Sequence, residues 1–125
     1  MTTNKKLLLV EDDKELRETL EDILFINEID FHTAENAEVA KDLVKQNKLP
    51  YHLVFSDYLM PGESGLDFFE YLNTLMRYKN IPFYILTART ENEIRHRCLS
   101  AGVTDFIEKP FEMNLFIKII RKHFS

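Results

Sequence analysis

Short apolar runs alternate along this chain with stretches whose apolar residues recur at helical spacing. The runs Leu7-Leu8-Leu9-Val10, Leu53-Val54-Phe55-Ser56, Phe83-Tyr84-Ile85-Leu86 and Asp105-Phe106-Ile107-Glu108 suit strands and are too short for helices. A weaker strand over residues 28–33 alternates at Ile29, Phe31 and Thr33. After the first run, Leu16, Leu20, Ile23 and Leu24 fall on one helical face, and Asp12 with Glu15 has the spacing of a capping box. A second helix covers Asn36 to about Gln46, with Val39, Leu43 and Val44 apolar. A third follows the Pro61–Gly65 loop, capped by Ser64 and Asp67, and runs to about Met76. Pro82 opens the fourth strand, where a missing donor is tolerated. Thr90 and Glu93 predict a cap for the fourth helix, and Gly102 a left-handed end. The last helix spans Glu112 to Phe124. Five β/α units in this order predict an α/β domain with a parallel sheet.

In the last helix Met113, Phe116, Ile117, Ile120 and Phe124 share an arc wide enough to cover a sheet. Leu115 and Ile119 lie off that arc, beside Lys122, and predict an apolar partner surface.

With 125 residues the chain is read as one domain, 1–125, with no linker or repeat and no output domain after Ser125. A net charge of −5 without a Lys/Arg block disfavours direct nucleic-acid binding. No apolar stretch approaches the roughly 18 residues of a membrane span, and the N-terminal run is too short for a signal peptide. The single cysteine, Cys98, excludes an internal disulfide, predicts a small buried side chain and fits a reducing cytoplasm. His32, His52, His96 and His123 form no ligand spacing and are expected at the surface.

Candidate chemistry gathers where the runs end. The first meets Glu11-Asp12-Asp13, the third ends in Asp57, the fourth in Thr87 and the fifth in Lys109-Pro110. Parallel strands would align these ends along the edge where α/β sheets bind ligands. Helix N-terminal charge accounts for one or two acids, at about 0.3–1 kcal/mol each, but not for Asp57 on another strand. Carboxylates about 4–5 Å apart repel by roughly 3–4 kcal/mol at an effective dielectric near 20. A bound Mg²⁺ would offset that repulsion through one or two carboxylates while keeping several waters. An Asp57 of ordinary pKa would be ionised at neutral pH and need no general base. Lys109 before Pro110, leaving a buried strand and turning inward, makes a cis peptide plausible at that bond.

Val10-Glu11-Asp12-Asp13, Ser56-Asp57 followed by Met60-Pro61-Gly62, Leu86-Thr87-Ala88, and Ala101-Gly102 followed by Phe106-Ile107-Glu108-Lys109-Pro110-Phe111 resemble the receiver domain of bacterial two-component response regulators. The resemblance covers about Lys6 to Lys122, and four elements in order at family spacing are highly specific. It implies a flavodoxin-like (CheY-like), doubly wound five-stranded parallel sheet of order 2-1-3-4-5 with five helices. It further implies phosphorylation of Asp57 by a histidine kinase or phosphotransfer protein, with Asp12, Asp57 and the Leu59 backbone carbonyl binding Mg²⁺ and Glu11 acting through water. Thr87 and Lys109 would contact the phosphoryl oxygens. Phe106 holds the family's aromatic switch position, turning inward as Thr87 moves and altering the surface of the fourth helix, fifth strand and fifth helix. Leu59 and Arg89, two beyond Asp57 and Thr87, stand where the family tunes water attack on the phosphoryl group.

The chain departs from the family's winged-helix subfamily, whose fifth helix carries charges for a salt-bridged dimer. A monomer or a weak phosphorylation-dependent dimer is the expectation, with a downstream protein target. As an enzyme it would manage only weak self-phosphorylation and self-dephosphorylation. Alternatives are an aspartyl-nucleophile phosphatase, a flavin carrier and a phosphorylation-silent pseudo-receiver acting as an interaction module. The first needs an acid where Leu59 stands, the second a phosphate loop that Glu11-Asp12-Asp13 would repel, and the third a missing site residue.

Overall fold

The computed structural model describes residues 5–89 and 91–124. Its elements are β1 (Leu7–Val10), α1 (Lys14–Ile26), β2 (Phe31–Ala34), α2 (Ala37–Gln46), β3 (Leu53–Asp57), α3 (Gly65–Asn73), a 3₁₀ turn (Met76–Tyr78), β4 (Phe83–Thr87), α4 (Asn92–Ala101), β5 (Asp105–Glu108) and α5 (Met113–Phe124). All strand pairs are parallel, in the order β2-β1-β3-β4-β5.

The sheet is covered on both faces, so its central strands are apolar at successive positions rather than alternately. Leu7 and Leu9 of β1 point into one core with Leu20 and Leu24 of α1 and Phe116 and Ile120 of α5. Leu8 and Val10 point into the other, with Ala40 and Val44 of α2, Phe68 and Leu72 of α3 and Cys98 of α4. Each fully buried leucine or phenylalanine contributes about 1.5–3 kcal/mol of transfer free energy. Two cores built on the same strands fix the register, since a one-residue slip would exchange every side chain between faces.

The helix ends follow local chemistry, with some departures from the sequence expectation. Asp13, not Asp12, caps α1: its backbone is extended and its Oδ1 accepts from Leu16 N at 3.1 Å. Asp12 N instead donates to Asp57 Oδ2, and this leaves the Asp12 carboxylate outside the cap. Ser64 and Asp67 form the expected reciprocal box on α3. That helix stops at Asn73 because Thr74 closes its last turn, with N–H and hydroxyl both donating to Tyr71 O. Thr90 lies outside the described residues, and the α4 N-cap position falls on Glu91 without a side-chain cap. Gly102 ends α4 at φ 114°.

Two burial expectations are corrected. Ile119 is half-buried against the α1/α5 core rather than exposed, because the buried stripe of α5 is wider than the predicted arc. Of the histidines only His96 is exposed. His32 Nδ1 pairs with Tyr51 Oη at 2.7 Å and His123 Nε2 with Tyr84 Oη at 2.8 Å, each tying a half-buried ring to a buried tyrosine. No helix among the described residues is long and apolar enough to cross a membrane.

Candidate phosphoacceptor and metal site

Parallel pairing places Val10 beside Ser56, Asp57 beside Leu86 and Thr87 beside Glu108. The polar residues that end β1, β3, β4 and β5 therefore share one edge of the sheet. Glu11 is held there by three contacts: its N donates to Ala34 O, its carbonyl accepts from Arg17 Nη1 at 2.8 Å, and its Oε2 accepts from Asp13 N at 3.0 Å. Asp57 Oδ2 accepts from Asp12 N at 3.1 Å, and Oδ1 from Lys109 Nζ at 2.5 Å. The same ammonium stands 2.9 Å from Glu11 Oε1. Glu11 is 0% and Asp57 2% exposed, while Asp12 faces solvent.

Lys109 reaches inward because β5 ends beside β4, its N donating to Thr87 O at 2.9 Å; the Lys109–Pro110 peptide is cis. Thr87 is buried, and its Oγ1 accepts from Arg89 N at 2.9 Å, which leaves its O–H free to donate.

The charges do not balance. Oxygens of Glu11, Asp12 and Asp57 lie within 4.8 Å of one another, and three carboxylates against one ammonium leave two negative charges uncompensated. Burial first, then the Glu11 and Asp12 carboxylates, push the Asp57 carboxyl far above its ordinary range, against the opposing pull of Lys109. The expectation of an ordinary Asp57 is therefore corrected: burial and the neighbouring carboxylates shift its carboxyl upward. Burial by itself would lower Lys109, but Asp57 and Glu11 outweigh it and raise the ammonium pKa. Glu11 Oε1 is buried and lies 2.9 Å from the Lys109 ammonium, which it shares with Asp57 Oδ1. An all-oxygen donor set and three carboxylates that share one ammonium fit a hard divalent cation.

The remaining predicted residues lie further out. Leu59 is 54% exposed in the loop after β3. Phe106 is half-buried, with the Arg95 guanidinium 5.9 Å from its ring centroid. Leu115 is 44% exposed.

Sequence reasoning missed the supports. Gly65 N donates to Tyr58 O at 2.8 Å, and a Cβ at Gly65 would sit 2.1 Å from the Asp57 carbonyl oxygen. That oxygen also accepts from Ser56 Oγ at 3.0 Å. A glycine opening a helix beside the strand that ends in Asp57 was the available signal.

Residues 7–121 match the response regulator receiver domain family. The chain belongs to that family. It is 34% identical over 125 residues to the phosphate regulon transcriptional regulatory protein PhoB of Escherichia coli K12, covering 97% of this chain and 53% of PhoB. It is 32% identical over 118 residues to the response regulator protein FleR of Pseudomonas aeruginosa, covering 94% of this chain and 24% of FleR. The receiver thus spans about half the length of PhoB and about a quarter of FleR. The structure of the non-phosphorylated HemR receiver domain of Leptospira biflexa superposes with a TM-score of 0.85 at 31% identity, covering 98% of this chain and 95% of that one. Receivers are the phosphorylation-accepting signalling modules of two-component systems, not enzymes in the ordinary sense. They bind Mg²⁺ at their acidic pocket and interact with histidine kinases and downstream effectors.

Proposed function

We propose that Asp57 is the phosphorylation site of this receiver and that Mg²⁺ is the cation used there. The observation that carries this reading is the pairing of Asp57 with Lys109 at 2.5 Å inside a group of three carboxylates within 4.8 Å. Asp12, Asp57 and the Leu59 backbone carbonyl would hold the ion, and Glu11 would act through water. When bound, the ion supplies the missing positive charge, favouring an ionised Asp57 and neutralising incoming phosphoryl oxygens.

The nucleophile is an Asp57 carboxylate oxygen, and the donor a phosphohistidine of a histidine kinase or phosphotransfer protein. An O–P bond forms as the P–N bond breaks, and the imidazole nitrogen keeps the electron pair. The Lys109 ammonium and the Thr87 hydroxyl stabilise the transferred oxygens. Thr87 then moves toward the phosphate, Phe106 turns inward, and the α4-β5-α5 surface changes for a downstream protein target. Leu115 supplies an apolar contact on that surface, with Ile119 supporting it from below. The module works in the cytoplasm as a monomer or weak phosphorylation-dependent dimer, does not bind nucleic acid itself, and has only weak self-phosphorylating and self-dephosphorylating activity. Residues 1–125 form one receiver unit.

Incubation with acetyl phosphate and Mg²⁺, followed by intact-mass measurement, should show one added phosphoryl group. EDTA or Asp57→Asn should abolish it. A full yield of phosphoprotein from Asp57→Asn would sink the assignment.

A further inference from the structure

The loop between β3 and α3 carries the Leu59 carbonyl, yet its own backbone holds it poorly. Among the described residues, Tyr58 N donates to Leu86 O and Gly65 N to Tyr58 O, but residues 59–63 make no backbone hydrogen bond. Pro61 and Gly62 are exposed, and Gly62 turns the chain at φ 87° with nothing within 4 Å of where a Cβ would stand. Two side chains anchor this stretch. Met60 packs on the α2/α3 core, and Glu63 pairs with Lys41 of α2.

Lys41 is not an ordinary surface lysine. Its side chain is 21% exposed, and its ammonium also lies 4.9 Å from the centroid of the Tyr71 ring on α3. A cation held between a carboxylate and an aromatic face, with most of its stem shielded, loses little further freedom on making the pair. Met60 supplies non-directional packing, whereas the Lys41–Glu63 pair ties one point of the loop to a rigid helix. We infer that Lys41 is a positioning residue for the cation site: through Glu63 it holds the 59–63 loop so that the Leu59 carbonyl stays pre-oriented. This rests on the proposed role of that carbonyl. Lys41 touches neither the cation nor the phosphoryl group.

The test is calorimetric Mg²⁺ titration of the whole chain at neutral pH, for wild type, Lys41→Met, Lys41→Arg, Glu63→Gln and Lys41→Met/Glu63→Gln, with Asp12→Asn as reference. Metal-free melting temperature is measured beside each. Lys41→Met and Glu63→Gln should each weaken Mg²⁺ by about three- to tenfold, at or below the low end for outer-shell partners of metal ligands. The double variant should do no worse than either single one, because one pair is lost in all three. Lys41→Arg should keep near wild-type affinity, and metal-free melting should change little. Wild-type Mg²⁺ affinity in both Lys41→Met and Glu63→Gln would overturn the inference, as would a double variant as weak as the product of the singles. If Lys41→Met fails to fold, Glu63→Gln against Lys41→Arg decides the same question. Absence of Mg²⁺ binding by wild type would instead overturn the cation reading itself, and with it the role of Lys41. Binding that survives Asp12→Asn would overturn Asp12 alone as a ligand, and the Lys41 and Glu63 variants would still decide the inference.

Discussion

Asp57 is held from behind by Gly65, and this contact leaves room for hydrogen and nothing larger. Since the atom met at 2.1 Å is a backbone oxygen, an alanine there must move either α3 or the end of β3. Gly65→Ala should cost about 1–3 kcal/mol, as overpacking does. Phosphorylation by acetyl phosphate should fall by more than the melting shift explains, because misplacing a reacting group by about 1 Å can cost roughly 10²-fold. A variant with normal phosphorylation would show that α3, not Asp57, yields. Leu59 is the second residue-scale case. It is exposed two residues beyond the proposed acceptor, and its side chain cannot hydrogen-bond a water in line with phosphorus. Leu59→Asn should therefore shorten the lifetime of the phosphorylated form, measured as loss of the added mass after the donor is removed. An equal or longer lifetime would reject the account.

At the scale of elements, α5 is fastened to the sheet by more than its apolar face. His123 in its last turn meets Tyr84 of β4 at 2.8 Å, with the two rings edge-on at 5.6 Å. Burial, and secondarily Lys122, lower the His123 pKa below 6.5. The unfolded chain then binds the proton more readily than the fold. Stability from this group is fully present above about pH 6.5 and is lost as pH falls through the lower native value. His123→Gln should narrow its stability gap to wild type as pH drops from about 7.5 to about 5.5, read as melting temperature at each pH. Asp57 has the opposite slope, since its native pKa is raised, but it is common to both proteins and cancels in the comparison. A pH-independent gap would mean that His123 contributes packing alone.

For the whole molecule, the α4-β5-α5 face is the surface proposed to carry a phosphorylation event to another protein. Leu115 is exposed in the first turn of α5, a helix whose last turn carries Arg121 and Lys122. Apolar docking loses little affinity as salt rises, whereas a salt-bridged interface loses much. Leu115→Ser should weaken partner or self-association of the phosphorylated form by about tenfold, given about 1.5–3 kcal/mol for full burial of such a side chain. Wild-type association should change little between low and high salt. Steep salt dependence with an indifferent Leu115→Ser would show that another face is used. Ile119→Ser is a poorer probe, because Ile119 packs on the core and its loss would also act on the fold.

Sequence by itself determined the five β/α units, the two-sided burial of the central strands and the polar residues that end them. These depend on chemistry within a few positions: the period of the apolar residues, a glycine after α4, a serine three residues before an aspartate. It also determined that acids, a hydroxyl and an ammonium stand at strand ends, because parallel strands bring such ends together. Tertiary structure decided what depends on residues far apart in the chain. Asp12 or Asp13 could each have capped α1; in the fold Asp13 caps it, while Asp12 N donates to Asp57 Oδ2. Ile119 became half-buried because it packs against the core that α1, α5 and the sheet build together. His32 and His123 found tyrosine partners 19 and 39 residues away. Asp57 has an ordinary side chain in the sequence and a strongly raised pKa in the fold, since burial and two neighbouring carboxylates exist only once the strands have met.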